Sequence, residues 1–205
     1  MRKLLILVAI APILGGCSSP KNAYYTLSAP AIPKATSMQN KTRIMVGPVT
    51  LPAAIDTPQL VVKNNNNQVT VYEYQRWAGS LKGDIEKVVA ANLARDLSTP
   101  NVWSYGQTTY AQSDYQVFMD VQNMDSQLGD SVTIDVLWTI KPTAPKTKPQ
   151  GSDHGKRSAH APEAFSGRSV VREPVATNSI EALVSAQSRA FEKVSSEIAQ
   201  SIRPN

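Results

Sequence analysis

One cysteine and two histidines limit the chemistry open to this 205-residue chain. A single thiol builds neither a disulfide framework nor a zinc site of several thiolates. His154 and His160 both stand in a stretch with Pro142, Pro145, Pro149 and Pro162 and no apolar period. Such a stretch does not hold metal ligands or a general base in place. There is no Gly-x-Ser-x-Gly nucleophile motif and no glycine-rich phosphate loop with its lysine. The 16 acidic residues form no outstanding pair on a helix or at a strand end. No enzymatic, metal or cofactor site is therefore expected. Cys17 is different, because its position is informative. A short basic region, Met1-Arg2-Lys3, precedes an apolar run over 4–14, broken only by Pro12. Eleven residues are too few to span a bilayer, which takes roughly 20. The run reads as the core of a secretory signal peptide covering residues 1–16.

Leu14-Gly15-Gly16-Cys17 resembles the lipobox of a bacterial lipoprotein. That resemblance implies a diacylglycerol on the Cys17 thiol, cleavage before it, and an acyl chain on the new amine. The covalent lipid would anchor the chain, since each buried methylene contributes about 0.8 kcal/mol and more than one chain makes attachment stable. Ser18, where an aspartate would mark inner-membrane retention, favours the outer membrane. The alternative is an ordinary signal peptide with an incidental cysteine.

The formal charge of +5 points to an anionic partner only until it is located. Removing Arg2 and Lys3 leaves 19 bases against 16 acids, a charge of +3. Lys141, Lys146, Lys148, Lys156 and Arg157, against Asp153 alone, then account for +4 in one loop, so the rest is about −1. No basic face is visible, and aromatic residues make up only 6%. A nucleic-acid partner is excluded on both grounds.

The elements that must position any site follow from periodicity. Strands are expected at 24–27, at 43–51 with Pro48 marking an edge, a bulge or an end, and at 59–63 and 68–74 around four asparagines. Leu81, Ile85, Val88, Val89, Leu93 and Leu97 recur at helical spacing. Ser80 is placed to cap that helix, and Asp84 and Glu86 to face its positive end. A short strand at 102–105 precedes a hairpin of 115–124 and 131–140. In its second arm Val132, Ile134, Val136, Trp138 and Ile140 alternate with polar residues. After a strand at 164–172, Asn178 and Glu181 form a capping box for a helix reaching about Ile202. The expected fold is α+β: two layers, a mainly antiparallel sheet of about six strands, and two long helices on one face. Residues 17–205 form one domain, with a mobile insertion at about 141–163. That insertion is a solvated loop by default, with contact to anionic lipid or peptidoglycan as the alternative.

The order of these pieces, with Tyr24-Tyr25-x-Leu27, Gly47-Pro48-Val49-x-Leu51-Pro52, Asp56-x-Pro58-Gln59 and Arg76-Trp77-Ala78, resembles the ABC-transport auxiliary lipoproteins, in particular the PqiC-like ones. The resemblance runs from Cys17 to the C-terminus apart from the insertion. Thr57 stands where the family usually has arginine. The resemblance implies a non-catalytic outer-membrane lipoprotein, facing the periplasm, of an MCE-type phospholipid transport system. Its partners would be an MCE-domain protein and the membrane that holds its anchor, with phospholipid contact and self-association open. Asp56, Gln59, Arg76 and Trp77 are the candidate partner-binding residues. Asp56 and Gln59 also suit a capping role in the connector, and Trp77 also suits a core plug ahead of the helix. A general structural envelope lipoprotein without a role in lipid passage is the competing reading, and an envelope hydrolase is a third.

Overall fold

Alternating apolar residues on long strands need a layer to cover them, and here the cover is two helices. The computed structural model describes residues 20–31, 40–64, 67–107, 112–143 and 164–203. The signal peptide, Cys17, most of the 141–163 insertion and both histidines lie outside the described residues. In chain order the elements are β1 (Ala23–Tyr25), β2 (Ile44–Thr50), β3 (Gln59–Lys63), β4 (Val69–Trp77), α1 (Leu81–Asp96), β5 (Val102–Ser104), β6 (Tyr115–Ser126), β7 (Ser131–Pro142), β8 (Phe165–Pro174) and α2 (Ile180–Ile202).

The α+β class and the one-sided helices match the periodicity, but the strands divide into two sheets. Five strands run in the order β5-β2-β6-β7-β8, and three in the order β1-β4-β3. The β6-β7 and β7-β8 pairs are antiparallel. The β2-β5 and β2-β6 pairs are parallel. Parallel neighbours require a long crossover, and α1 lies in the connection between β2 and β5. The β3-β4 hairpin, in the same connection, leaves the main sheet and pairs with β1 instead.

The inner face of the large sheet carries Ile44, Val46, Val117, Met119, Val121, Val132, Ile134, Val136 and Ile140, all buried against the helices. From α1 the covering residues are Ile85, Val89 and Leu93, and from α2 Leu183, Phe191, Val194 and Ile198. Trp138 lies over Gly167 on β8, where a Cβ would run into its ring. Its indole N–H donates to Ser169 Oγ at 3.0 Å.

One open choice of the periodicity reading is settled, and two caps differ from it. Pro48 is not at an edge: β2 lies between β5 and β6, and the register slips between Val46 and Val49, so this is a bulge. Ser80 is extended ahead of α1 but its side chain makes no capping hydrogen bond. Ser179, not Asn178, caps α2, its hydroxyl accepting from the Ala182 amide at 3.2 Å. The box is displaced because Ser179 is the residue held in extended conformation just before the first helical turn.

Candidate functional site

The small sheet brings together the residues that the sequence singled out. β3 and β4 pair as Gln59 with Arg76, then Leu60 with Tyr72, Val61 with Val71 and Lys63 with Val69. Three more residues of β4 than of β3 lie between the first two of these pairs, so β4 bulges there. On the other side of β4, β1 pairs in parallel as Tyr24 with Arg76 and Tyr25 with Trp77. Paired residues share a face and neighbours alternate. Tyr24, Arg76 and Gln59 therefore form one outward row, and Tyr25 and Trp77 turn inward. The Trp77 amide donates to Pro58 O at 2.8 Å and the Ala78 amide to Tyr25 O at 2.8 Å. Segments 56–59 and 76–78, distant in sequence, are thus stitched side by side.

Asp56 ion-pairs with Lys82 Nζ at 2.6 Å, both about two-fifths exposed. This ties the connector to the first turn of α1. A pair so exposed contributes at most about 1 kcal/mol. Thr57 turns its hydroxyl back to Gln59 O at 3.2 Å. Asp56 is exposed, and Gln59 and Arg76 are half-buried.

Trp77 needs a correction as a partner-facing anchor. It is 5% exposed and belongs to the core with Leu60, Val62 and Leu81. The alternation of β4 sends residue 77 inward once Arg76 faces out. Trp77 can support a docking surface from beneath and cannot form one.

Two carboxylates expected at the positive end of α1 do other work. Asp84 accepts from Thr26 Oγ1 at 2.9 Å, holding the segment after β1 against the helix. Glu86 is 8% exposed and lies against the β2 bulge. A Cβ on Gly47, whose φ is +113°, would sit 2.6 Å from Glu86 Oε1 and 2.7 Å from Tyr105 Cβ. Only glycine suits that backbone and that space. Burial raises the Glu86 carboxyl above the ordinary range, although the backbone amides of Gly106 and Val49 and the charge of Lys87 oppose the shift. Elsewhere the direction reverses. The Arg43 guanidinium holds Asp114 low, and Arg168 does the same for Asp135. At Glu173, burial pushes upward, but hydrogen bonds and charge from Lys193 and Arg189 outweigh it and leave the carboxyl lowered.

Apolar residues of the small sheet also face outward, which the sequence reading did not anticipate. Tyr24 is 62% exposed, Val69 54%, Val71 53% and Tyr74 43%. Among the described residues no cluster of three or more His, Cys, Asp or Glu is arranged to hold a metal. No described helix is long and apolar enough to cross a membrane. An open depression of about 780 Å³ lies at the other end of α1, lined by Asp96, Leu97, Tyr115, Phe165 and Arg203 among others. It contains none of the candidate residues.

The geometry thus amounts to a half-buried polar row and an exposed apolar strand face on the small sheet, which is tied to the start of α1. The family model for the ABC-type transport auxiliary lipoprotein component matches residues 25–199. The chain belongs to that family. Cys17 precedes the matched segment. Membership makes this protein an auxiliary lipoprotein of ABC-type transport, of a class held at envelope membranes, whose role is generally not catalytic. Two crystal structures share the lipoprotein's fold. One, of an uncharacterised protein, is 16% identical, covers 90% of this chain and 100% of its own, and superposes with a TM-score of 0.65. The other, from Xanthomonas campestris, is 18% identical, covers 86% and 92%, and has a TM-score of 0.60. No curated protein sequence matches the lipoprotein.

Proposed function

We propose that this lipoprotein is a non-catalytic, outer-membrane-anchored component of an MCE-type phospholipid transport system. In this reading it docks the periplasm-spanning assembly at the outer membrane and so supports envelope integrity. Acyl chains on Cys17 hold it there, facing the periplasm, and it uses no other cofactor. The observation that carries the reading is the outward row of Gln59 and Arg76 beside Asp56. These residues lie on the two segments through which the sequence resembles the family, and the structure joins those segments at one surface. A polar row on paired strands, backed by the buried Trp77, suits recognition of a partner's backbone and side chains, because its geometry is held before binding.

Photo-crosslinkers at Gln59 and Arg76 in intact envelopes test this. The expected product is an adduct with an MCE-domain protein, absent when the crosslinker is moved to Ser185 on α2. Adducts confined to peptidoglycan-associated or unrelated outer-membrane proteins would favour a general structural envelope lipoprotein instead.

A further inference from the structure

The outer face of the β3-β4 hairpin carries an apolar strip, flanked by Glu73, exposed on β4, and by Lys63, which ion-pairs with Asp125 on β6 at 2.6 Å. Val61 pairs with Val71, and Lys63 with Val69, on the face opposite the buried Leu60 and Val62. Val69 and Val71 are more than half exposed, and Tyr24, also exposed, stands opposite Arg76 at the other end of β4. Tyr74, also exposed, lies in the bulge of β4 just before the residues that pair with β1. Contiguous apolar surface with a polar border marks an interaction site.

Strand direction selects the occupant. β1 is parallel to β4, Ala23 opposite Gln75 and Tyr25 opposite Trp77. The chain therefore enters β1 from the hairpin side of the sheet, the side of Val69 and Val71. Cys17 is only seven residues before Tyr24, at most about 25 Å of extended chain. Lys21, exposed on that tether, adds a base suited to phosphate headgroups. Of the exposed faces, this one is held at high local concentration beside any bilayer that receives the Cys17 lipid.

We infer that the hairpin face formed by Val61, Val69 and Val71 rests in the headgroup region of the bilayer that anchors the protein. This rests on the acylated-Cys17 reading. The hairpin lies on the lipid, and the Gln59–Arg76 row, at the other end of the same strands, stays above it for a partner. The lipid contact sets the orientation of the domain, and the tether alone sets only its distance.

The mature lipoprotein reconstituted in phosphatidylethanolamine–phosphatidylglycerol vesicles allows a direct test. With Cys17 acylated, Val71→Cys supplies the single free thiol for a nitroxide, and Ser201→Cys gives the same label at the far end of α2. Collision with oxygen and with a water-soluble nickel complex reports depth. At position 71 the expected result is a several-fold loss of nickel collisions relative to position 201, with oxygen collisions retained. An acylated protein that floats with vesicles while its 71 label stays as water-accessible as the 201 label overturns the inference alone. Shielding of position 71 only after an MCE-domain partner is added assigns the face to protein and also overturns it. Absence of acyl mass on Cys17 overturns the anchoring reading and the inference together.

Discussion

The two sheets bury their apolar residues to different depths. The five-stranded sheet hides its inner face under α1 and α2, where Ile44, Ile134, Phe191 and Ile198 have no measurable exposure, and leaves Leu137, Phe165 and Val170 exposed on β7 and β8. The three-stranded sheet hides Leu60, Val62 and Trp77 but leaves Tyr24, Val69 and Val71 outside. A monomer gains nothing by exposing β-branched and aromatic residues in a row. The large sheet is thus the source of stability. The small sheet carries apolar surface that folding alone does not require.

The comparison is broken most severely from the inside. Phe191→Ala in the large layer should cost about 3–5 kcal/mol, and Trp77→Ala in the small one a similar amount. Urea denaturation measures both. A loss below about 1 kcal/mol for Trp77→Ala would mean that the small sheet is not packed as described.

Glu86 tests the packing of α1 on the large sheet, since it is buried behind the β2 bulge. Its folded carboxyl is raised, so between the ordinary glutamate value of 4.5 and the raised one the native state holds more protons than the unfolded state. Stability from this group is therefore lost as pH rises through that window. The lowered Asp114, Asp135 and Glu173 act oppositely, their contribution disappearing as pH falls through their folded values. Glu86→Gln should gain stability relative to wild type as pH rises from 4.5 through the raised folded value. A pH-independent difference between the two proteins would contradict the buried-carboxylate account.

Smaller effects are expected at the helix start and at the site. Ser179→Ala should cost about 1 kcal/mol through the lost cap of α2, and Asn178→Ala less than about 0.5 kcal/mol. Thermal unfolding of the two variants reads that order, and the reverse order would return the cap to Asn178. Asp56→Ala, which breaks only the exposed pair with Lys82, should change stability by less than about 1 kcal/mol. If Asp56 contacts the transport partner, co-purification should nevertheless fall. Unchanged co-purification would leave Asp56 as a tie between the connector and α1 only.

Much of this was legible in one dimension. Leu81, Ile85, Val88, Val89, Leu93 and Leu97 were readable as the buried stripe of α1 because helical spacing repeats within the chain itself. The β7 alternation was readable for the same reason, and Lipobox-like spacing pointed to Cys17 without any structure. The β4 alternation was not decisive. Val69 and Val71 alternate with Thr70 and Tyr72, and the pattern does not say which set faces inward. Trp77 was ambiguous because its side depends on a bulge three residues long in β4. Glu86 read as a helix-dipole partner because its burial comes from Gly47 and Tyr105, far away in sequence.

Local periodicity, caps and turn residues determined where the strands and helices lie, because those signals arise from contacts within a few residues. The sequence by itself also determined the absence of a catalytic cysteine or histidine pair in the domain's periodic elements. Tertiary structure alone decided that β3-β4 would leave the main sheet for β1 and that Gln59 would meet Arg76. It also decided that valines and tyrosines would face out beside the tether. Each depends on which distant strand pairs with which, and pairing between distant strands is settled by the packing of the whole core and leaves no local mark on the chain.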